Sequence, residues 1–347
     1  MNSRTSRATL ADVARLAGVS LGSASRALSV PQEVKPATLE SVQKAVGQLG
    51  YVRNGAAQAL ASRRTRTIAA VYPTLDNPIF SAAIQSLQMT LWASGYQLLV
   101  SSHEYRPSHE ADMLRAIVER GVDGLVLVGT DHSDDVFALL RQYGLPYVLS
   151  WSVDDMPARQ CVGFSYYDAA YRMADLVIAH GHTRIALCPG LAEGNERVRA
   201  RIAATREALG SHGLVLRDDW IVQQPFTFDG GRQAVASLFD AAGERPTALI
   251  CGTDIQAVGA IGACRARGLR VPDDLSITGS DDIQLAGLVE PPLTTVHVPT
   301  VEIGRRSALL IVALVEGRTP EPQTPLEVTL VVRDSLGRTT KPKEKRR

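Results

Sequence analysis

The sequence predicts a small all-α domain of the helix-turn-helix type, followed by an α/β core built from two Rossmann-like subdomains. Three observations predict it. Apolar residues recur at helical spacing in three short segments between residues 9 and 50. From Ile68 onward, short β-rich apolar runs alternate with helical stretches, the βαβαβα pattern of a parallel, doubly wound sheet. A second such series follows, from RIALCPG to LSITG. At 347 residues the chain is too long for one ordinary core.

Leu10, Val13, Ala14, Leu16 and Ala17 define the first helix, with Thr9 as its N-cap and Gly18 as its breaker. Ser20 caps a second helix whose apolar face holds Ala24, Ala27 and Leu28. A turn of three to four residues containing Gly joins the two, the helix-turn-helix arrangement. Pro31 and Pro36 bracket a loop; Leu39, Val42, Val46 and Leu49 then mark a third helix, stopped by Gly50. Helices this short are unstable alone and must share a core. In the body, IAAVY, QLLVS, GLVLVG and YVLSW read as strands of the first sheet, and RIALCPG, WIVQQ, ALICG and LSITG as strands of the second. Two open sheets in one chain imply a cleft between them, with ligands outside the carboxyl ends of the strands.

Charge assigns different partners to the two parts. Residues 1–66 carry ten Lys and Arg against three Asp and Glu, a net +7, and the tail from Arg338 carries +5. The whole chain is only +1, so residues 67–337 carry −11. Such a field steers the basic head to phosphate, and three short helices on a basic surface point to grooved DNA.

Other classes find little support. No apolar run approaches 18 residues, so no membrane partner is expected, and the N-terminus lacks the apolar core of a signal peptide, so a cytoplasmic location is expected. Cys161, Cys188, Cys251 and Cys264 have no metal-ligand spacing, and three of them sit in apolar runs that suit buried thiols. There is no HExxH; His180 and His182 flank Gly181 at a helix end, where capping or solvent exposure is expected. Gly259 and Gly262 lie inside a helical pattern, and neither GxGxxG nor GxxxxGK[ST] occurs, so no nucleotide cofactor is expected. No nucleophile–base pair can be placed in the cleft, so no catalytic residue is assigned and the chain is not expected to be an enzyme.

TLADVARLAGVS, SASRAL and LGYVRNGAAQALAS resemble, in order and over about 55 continuous residues, the DNA-binding headpiece of the LacI/GalR family of bacterial transcription regulators. DNPIFSAAIQSL, ERGVDGLVLVG, HGHTRIALCPG, ICGTDIQAVGAIGACRARGLRVPDDLSITGSDD and PPLTTVHVPTVEIGRRSALLI resemble that family's core, which is similar to periplasmic sugar-binding proteins. The resemblance implies a headpiece over 1–53 and a hinge helix and linker over 54–66. It implies a first subdomain of 67–165 plus 293–318, a second of 166–292 plus 319–337, and a basic disordered tail from 338. LTTV and the helix after it would return to the first subdomain, and the VTLVV strand to the second.

It also implies residue roles. The residues after Val19 and Ser20 would face base edges in the major groove, with Leu21, Gly22, Ser23, Ser25 and Arg26 as candidates. Leu21 and Gly22 replace the longer or polar side chains of many relatives, so hydrogen bonding to bases would lean on Ser23 and Arg26. Leu21 would touch a thymine methyl or act as a half-buried staple. Thr9, Ser20, Lys35, Thr38 and Tyr51 are phosphate-contact candidates. Asn54, Ala57 and Leu60 would belong to a hinge helix that pairs with a second copy in the minor groove, Leu60 wedging between base pairs. A homodimer, rather than a tetramer, would read a pseudo-palindromic operator with a central CG step.

Effector candidates are Ile79, Phe80 and Trp151 from the first subdomain and Asn195, Arg197, Arg201, Phe226, Thr253, Asp254 and Asp281 from the second. Alternatives stand beside them: Arg201 pairing with Glu207, Asp254 and Asp281 as structural caps, Phe80 and Phe226 as core. Thr253 stands where relatives often have Asn, and Trp151 where many have Asp. The implied function is a transcription repressor whose operator affinity is controlled by a sugar or sugar derivative. A corepressor-dependent repressor with a purine-type effector, or an activator, is the alternative.

Overall fold

A computed structural model describes residues 8–53, 55, 64–153 and 160–339. The chain divides into two compact units, residues 1–65 and 66–347. The first holds α1 (Leu10–Leu16), α2 (Leu21–Ser29) and α3 (Pro36–Leu49). Thr9 caps α1 reciprocally. Its hydroxyl accepts from the Asp12 amide at 3.3 Å, while the Asp12 carboxylate accepts from the Thr9 amide at 3.0 Å. Gly18, at φ +65°, turns the chain toward α2, whose first turn is capped by the Ser20 hydroxyl accepting from the Ser23 amide at 3.0 Å. Val13, Ala14, Ala24, Ala27, Val42 and Ala45 form the centre of the shared core. Four of these six are alanines, which lets three short helices approach closely enough to bury one another. The hinge residues Asn54, Ala57 and Leu60 and the tail from 340 lie outside the described residues.

The second unit has two lobes. In the first, β1 (Thr67–Tyr72), β2 (Gln97–Ser102), β3 (Gly124–Val128), β4 (Tyr147–Ser150) and β5 (Cys161–Val162) form a parallel sheet in the order β2-β1-β3-β4-β5. β1 and β3 are apolar along nearly their whole length because both faces are covered. Ile68, Ala70, Tyr72, Val126 and Val128 join one core cluster, and Ala69, Val71, Leu125 and Leu127 join the other. Residues of α4 (Pro78–Ala93) pack in the former; residues of α5 (Pro107–Glu119) and α6 (Asp134–Tyr143) pack in the latter.

In the second lobe, β6 (Ile185–Cys188), β7 (Ala248–Cys251) and β8 (Ser276–Thr278) are parallel in that order. They are accompanied by α7 (Tyr166–Ala179), α8 (Glu196–Ser211), α9 (Phe228–Asp240) and α10 (Asp254–Ala266). β9 (Thr295–His297) and β10 (Thr329–Val331) pair antiparallel, and α11 (Thr300–Val315) packs along α4 of the first lobe.

Two expectations need correction here. WIVQQ is not a strand: only Ile221 bridges to Leu187, after a 3₁₀ turn at Asp218–Trp220. The LTTV segment does not return to the first lobe. Leu293 is in the second lobe's core, Thr294 bridges to Thr278, and the Thr295 hydroxyl donates to Asp254 at 2.5 Å. The chain changes lobe at about residue 298, before α11, rather than at 293. Local β propensity reads a strand correctly but says nothing about which sheet it joins.

Cys188, Cys251 and Cys264 are buried free thiols; burial pushes the Cys188 thiol up to about 12 and Cys264 to about 11. His180 caps α7, its Nδ1 against the Leu176 carbonyl at 2.8 Å. His182 is buried instead of solvent-exposed, set between the Thr247 hydroxyl and the Gly337 carbonyl. Among the described residues, no helix is long and apolar enough to cross a membrane.

Candidate functional site

Two surfaces carry the sequence-derived candidates, one in each unit. On the headpiece, α2 turns Ala24 and Ala27 into the core, which leaves Leu21, Gly22 and Arg26 exposed. Leu21 is 54% exposed, so it is not a half-buried staple. Ser23 and Ser25 are half-buried, and the Ser23 hydroxyl lies 2.9 Å from that of Ser20. Lys35 is exposed and Thr38 half-buried at the start of α3. Tyr51 packs its ring against the headpiece core, and the Thr9 hydroxyl donates to Asp12 at 2.7 Å within the capping box. These two are held by internal contacts, whereas Leu21, Arg26 and Lys35 stand free of the core.

In the second unit, a cavity of about 590 Å³ opens between the lobes at the carboxyl ends of β2, β3 and β6. The first lobe contributes the segment after β2 (His103, Glu104, Tyr105), Glu110 of α5, and Asp131 and His132 after β3. Glu104 and Tyr105 both take left-handed backbone, at φ +50° and +53°, in a turn pinned by the Tyr105 amide donating to the Pro73 carbonyl at 3.0 Å. The second lobe contributes Leu191–Gly194, Glu196 and Arg197 at the start of α8, and Gln223, Pro225 and Phe226. Tyr105 and Phe226 face one another across the cleft, ring centres 5.7 Å apart.

The start of α8 also ties the lobes together. The Thr130 amide donates to Glu196 Oε1 at 3.0 Å, and Arg199 donates to Asp131 at 2.9 Å. Gly129, at φ +92°, has no side chain to obstruct this approach; a methyl group there would strike the Arg197 guanidinium and the Glu196 carboxylate. His132 is buried with Nδ1 2.9 Å from Glu110 Oε1 and Nε2 3.1 Å from the Gly129 carbonyl. Burial shifts the His103 imidazole toward its neutral form, Glu110 opposing this as the next strongest influence.

Of the ten effector candidates, only Arg197 and Phe226 line this cavity. Ile79, Phe80 and Trp151 instead belong to the first lobe's core, Phe80 meeting the Trp151 ring edge-on at 5.0 Å and Tyr72 at 5.3 Å. Trp151, past the end of β4 at φ +64°, is 1% exposed because that backbone turns its indole inward. Asn195 caps α8, its Oδ1 accepting from Val198 at 3.3 Å. Thr253 caps α10. Asp254 is fully buried and accepts from the Ile283 amide and the Thr295 hydroxyl, which makes it a structural tie rather than a ligand contact; burial lifts its carboxyl to about 6.

Arg201 and Asp281 sit behind the cavity wall. Arg201 does not pair with Glu207, whose carboxylate accepts from Tyr167. Its guanidinium lies over the Tyr166 ring at 4.6 Å and near Phe226 at 5.9 Å, and it lines a small neighbouring void of about 20 Å³. Burial and the nearby Asp254 hold the Asp281 carboxyl well above the usual range, and its Oδ2 has no hydrogen-bond partner among the described residues. Sequence reasoning missed His103, Tyr105, Glu110, Asp131, His132 and Gln223.

Arg201→Ala removes the cation that lies over Tyr166 and beside Phe226, and with it one of the supports of the Phe226 ring. Loss of two buried cation–ring contacts, about 1–2 kcal/mol together, is expected to raise the effector concentration for half-maximal response about 5- to 30-fold. Titrating the operator complex with effector checks this; an unchanged midpoint would detach Arg201 from the site.

Comparisons with known proteins place both units. Residues 9–54 match the model of the bacterial regulatory proteins of the lacI family, and residues 174–336 match a periplasmic binding protein-like domain. The HTH-type transcriptional repressor PurR of Erwinia tasmaniensis is 32% identical over 333 residues, covering 95% of this chain and 97% of PurR. Among solved structures, the complex of the transcriptional regulator CelR with cellobiose is 31% identical with a TM-score of 0.70, covering 95% of this chain and 100% of that one. The lac repressor dimer bound to operator and the anti-inducer ONPF is 26% identical with a TM-score of 0.84, covering 95% and 99%. With one relative 32% identical along nearly the full length of both chains, and a headpiece followed by a two-lobed core in the family's order, the chain belongs to the lacI family of bacterial regulatory proteins.

Proposed function

We propose that this protein is a cytoplasmic, non-enzymatic transcription repressor that binds a pseudo-palindromic operator as a homodimer and changes its operator affinity when a sugar or sugar derivative occupies the interlobe cleft. The observation that carries the reading is the pairing of a basic headpiece, with Leu21 and Arg26 open on α2, with a cavity of about 590 Å³ whose two walls come from different lobes. A ligand filling such a cavity bears on lobe arrangement, so ligand and operator affinities are thermodynamically linked. Phe226 and Tyr105 offer flat apolar faces for a sugar ring. CelR, which is bound to cellobiose in its solved complex, supports the ligand class.

The dimer reading is supported by the lac repressor, which is a dimer on its operator, and by the packed pair α4 and α11. Those helices carry Met89, Trp92, Val301 and Leu309, all large, apolar and exposed, which a second copy would cover. Leu60 of each hinge would then meet at the operator's centre.

The test is a selection of bound duplexes from a random pool at physiological salt, with and without pooled sugars and purines. A palindrome centred on a CG step is the expected product. A single, asymmetric half-site would refute the dimer, and no enrichment under any condition would refute base reading by α2. Enrichment only with purines present would favour the corepressor alternative.

A further inference from the structure

The cleft contains more carboxylates than cations, and a count of charges alone would assign it a cationic ligand. The partners reverse that assignment. Glu110 is held by His132, Asp131 by Arg199, and Glu196 by the Thr130 amide. Glu104 accepts from the hydroxyls of Ser102 and Thr74, and Glu193 is exposed at the rim. The nitrogens left over are on the opposite kind of group. Arg197 Nη1 is buried and makes no hydrogen bond among the described residues; Glu196 Oε1 sits 3.7 Å away, an ion pair too long for a hydrogen bond. His103 Nδ1 is also buried without a hydrogen-bond partner among the described residues.

These two nitrogens come from different lobes, and both residues line the same cavity. Arg197 lies in the first turn of α8, a helix of 16 residues, where the helix's own amides add positive potential. A buried guanidinium nitrogen without an acceptor is costly, and an oxyanion is the group that removes the cost best.

Building on the reading of the cleft as an effector site, we infer that the effector carries an anionic group, a carboxylate or a phosphate, seated between Arg197 of the second lobe and His103 of the first. The rest of the molecule is hydroxylated. Its ring lies against the exposed edges of Tyr105 and Phe226, and its hydroxyls donate to Glu110, whose two oxygens have lone pairs beyond those facing His132 Nδ1. A neutral sugar would leave Arg197 Nη1 unmatched. An acidic sugar satisfies it and bridges the two lobes with one group.

Calorimetric titration of the full-length protein with a matched panel tests this: aldonates and uronates, hexose phosphates, the neutral parent sugars, and hypoxanthine. At least one acidic member is expected to bind at least tenfold more tightly than its neutral parent. Sugar acids and sugar phosphates then identify which anion is used. In Arg197→Met the preference should fall to about onefold, and in His103→Asn it should fall at least severalfold, so either variant reports if the other fails to fold. A neutral parent that binds as tightly as its acid, or a tenfold preference retained in both variants, overturns the anion while leaving a sugar effector in place. Binding of hypoxanthine alone, or of no panel member, overturns the sugar reading and the anion with it.

Discussion

Arg26→Ala is expected to reduce affinity for the selected operator by roughly 10- to 100-fold per half-site, with a much smaller loss on random duplex. α2 buries Ala24 and Ala27, so its exposed side offers few groups able to hydrogen-bond a base edge. Gly22 has no side chain, Leu21 is apolar, and the Ser23 hydroxyl lies beside that of Ser20. Arg26 is exposed and carries the only charge on α2, so base recognition is concentrated there. A well-placed arginine contact to a base contributes about 1–3 kcal/mol of discrimination, and a dimer makes it twice. Fluorescence anisotropy on the selected operator and on a scrambled duplex, across a salt series, measures both terms. Equal losses on both duplexes would make Arg26 a phosphate contact. No loss on either would mean that α2 is not the reading element. Lys35→Ala, by contrast, should weaken both duplexes alike.

Gly231→Ala is expected to be the most damaging single methyl group in the core unit, lowering stability by about 3 kcal/mol or more. Gly231 on α9 and Gly259 on α10 sit where the two helices touch backbone to backbone. A methyl group at Gly231 would enter the Gln256 carbonyl, and one at Gly259 would enter the Phe228 carbonyl. Neither obstacle is a side chain that can rotate away, so the helices would have to separate. Gln256 also donates from Nε2 to the carbonyls of Gln224 and Pro225, at 3.0 and 3.1 Å. The same displacement should therefore shift Phe226 and weaken effector binding. Gly262→Ala is the matched control. It lies on α10 with Gly259, exposed, with nothing near its missing methyl group. Removing a helical glycine there should stabilise by about 0.5–1 kcal/mol. Thermal unfolding of the two variants should move in opposite directions; a parallel shift would refute the packing argument.

Gly259 illustrates how sequence and structure divide the work. Its place inside a helical pattern was enough to exclude a phosphate-binding loop. Its purpose, a backbone contact with a helix some thirty residues earlier, has no local signal. The same holds for strands. β3, β6 and β7 are continuous apolar runs because both of their faces are covered, and such runs are readable without a partner in view. Thr294 and Thr295 look no different from residues of any edge strand, and only their bonds to Thr278 and Asp254 assign them to the second lobe.

The chain's own chemistry determined the headpiece, the order of strands and helices, and the separation of a basic head from an acidic body. Caps such as Thr9 and Ser20, stops such as Gly18 and Gly50, and hydrophobic periodicity act over a few residues, so one sequence contains them in full. The tertiary structure alone decided the wall of the cleft. His103, Glu110, His132 and Gln223 are isolated polar residues in segments up to 120 positions apart, and polarity without periodicity looks like any loop. The resemblance places Trp151 at a cleft position where many relatives have Asp, yet its backbone is left-handed and its indole packs in the core beside Phe80. Local sequence sets where an element begins and ends. Which side chains converge on a cavity depends on how two lobes meet, and that is a property of contacts made far apart along the chain.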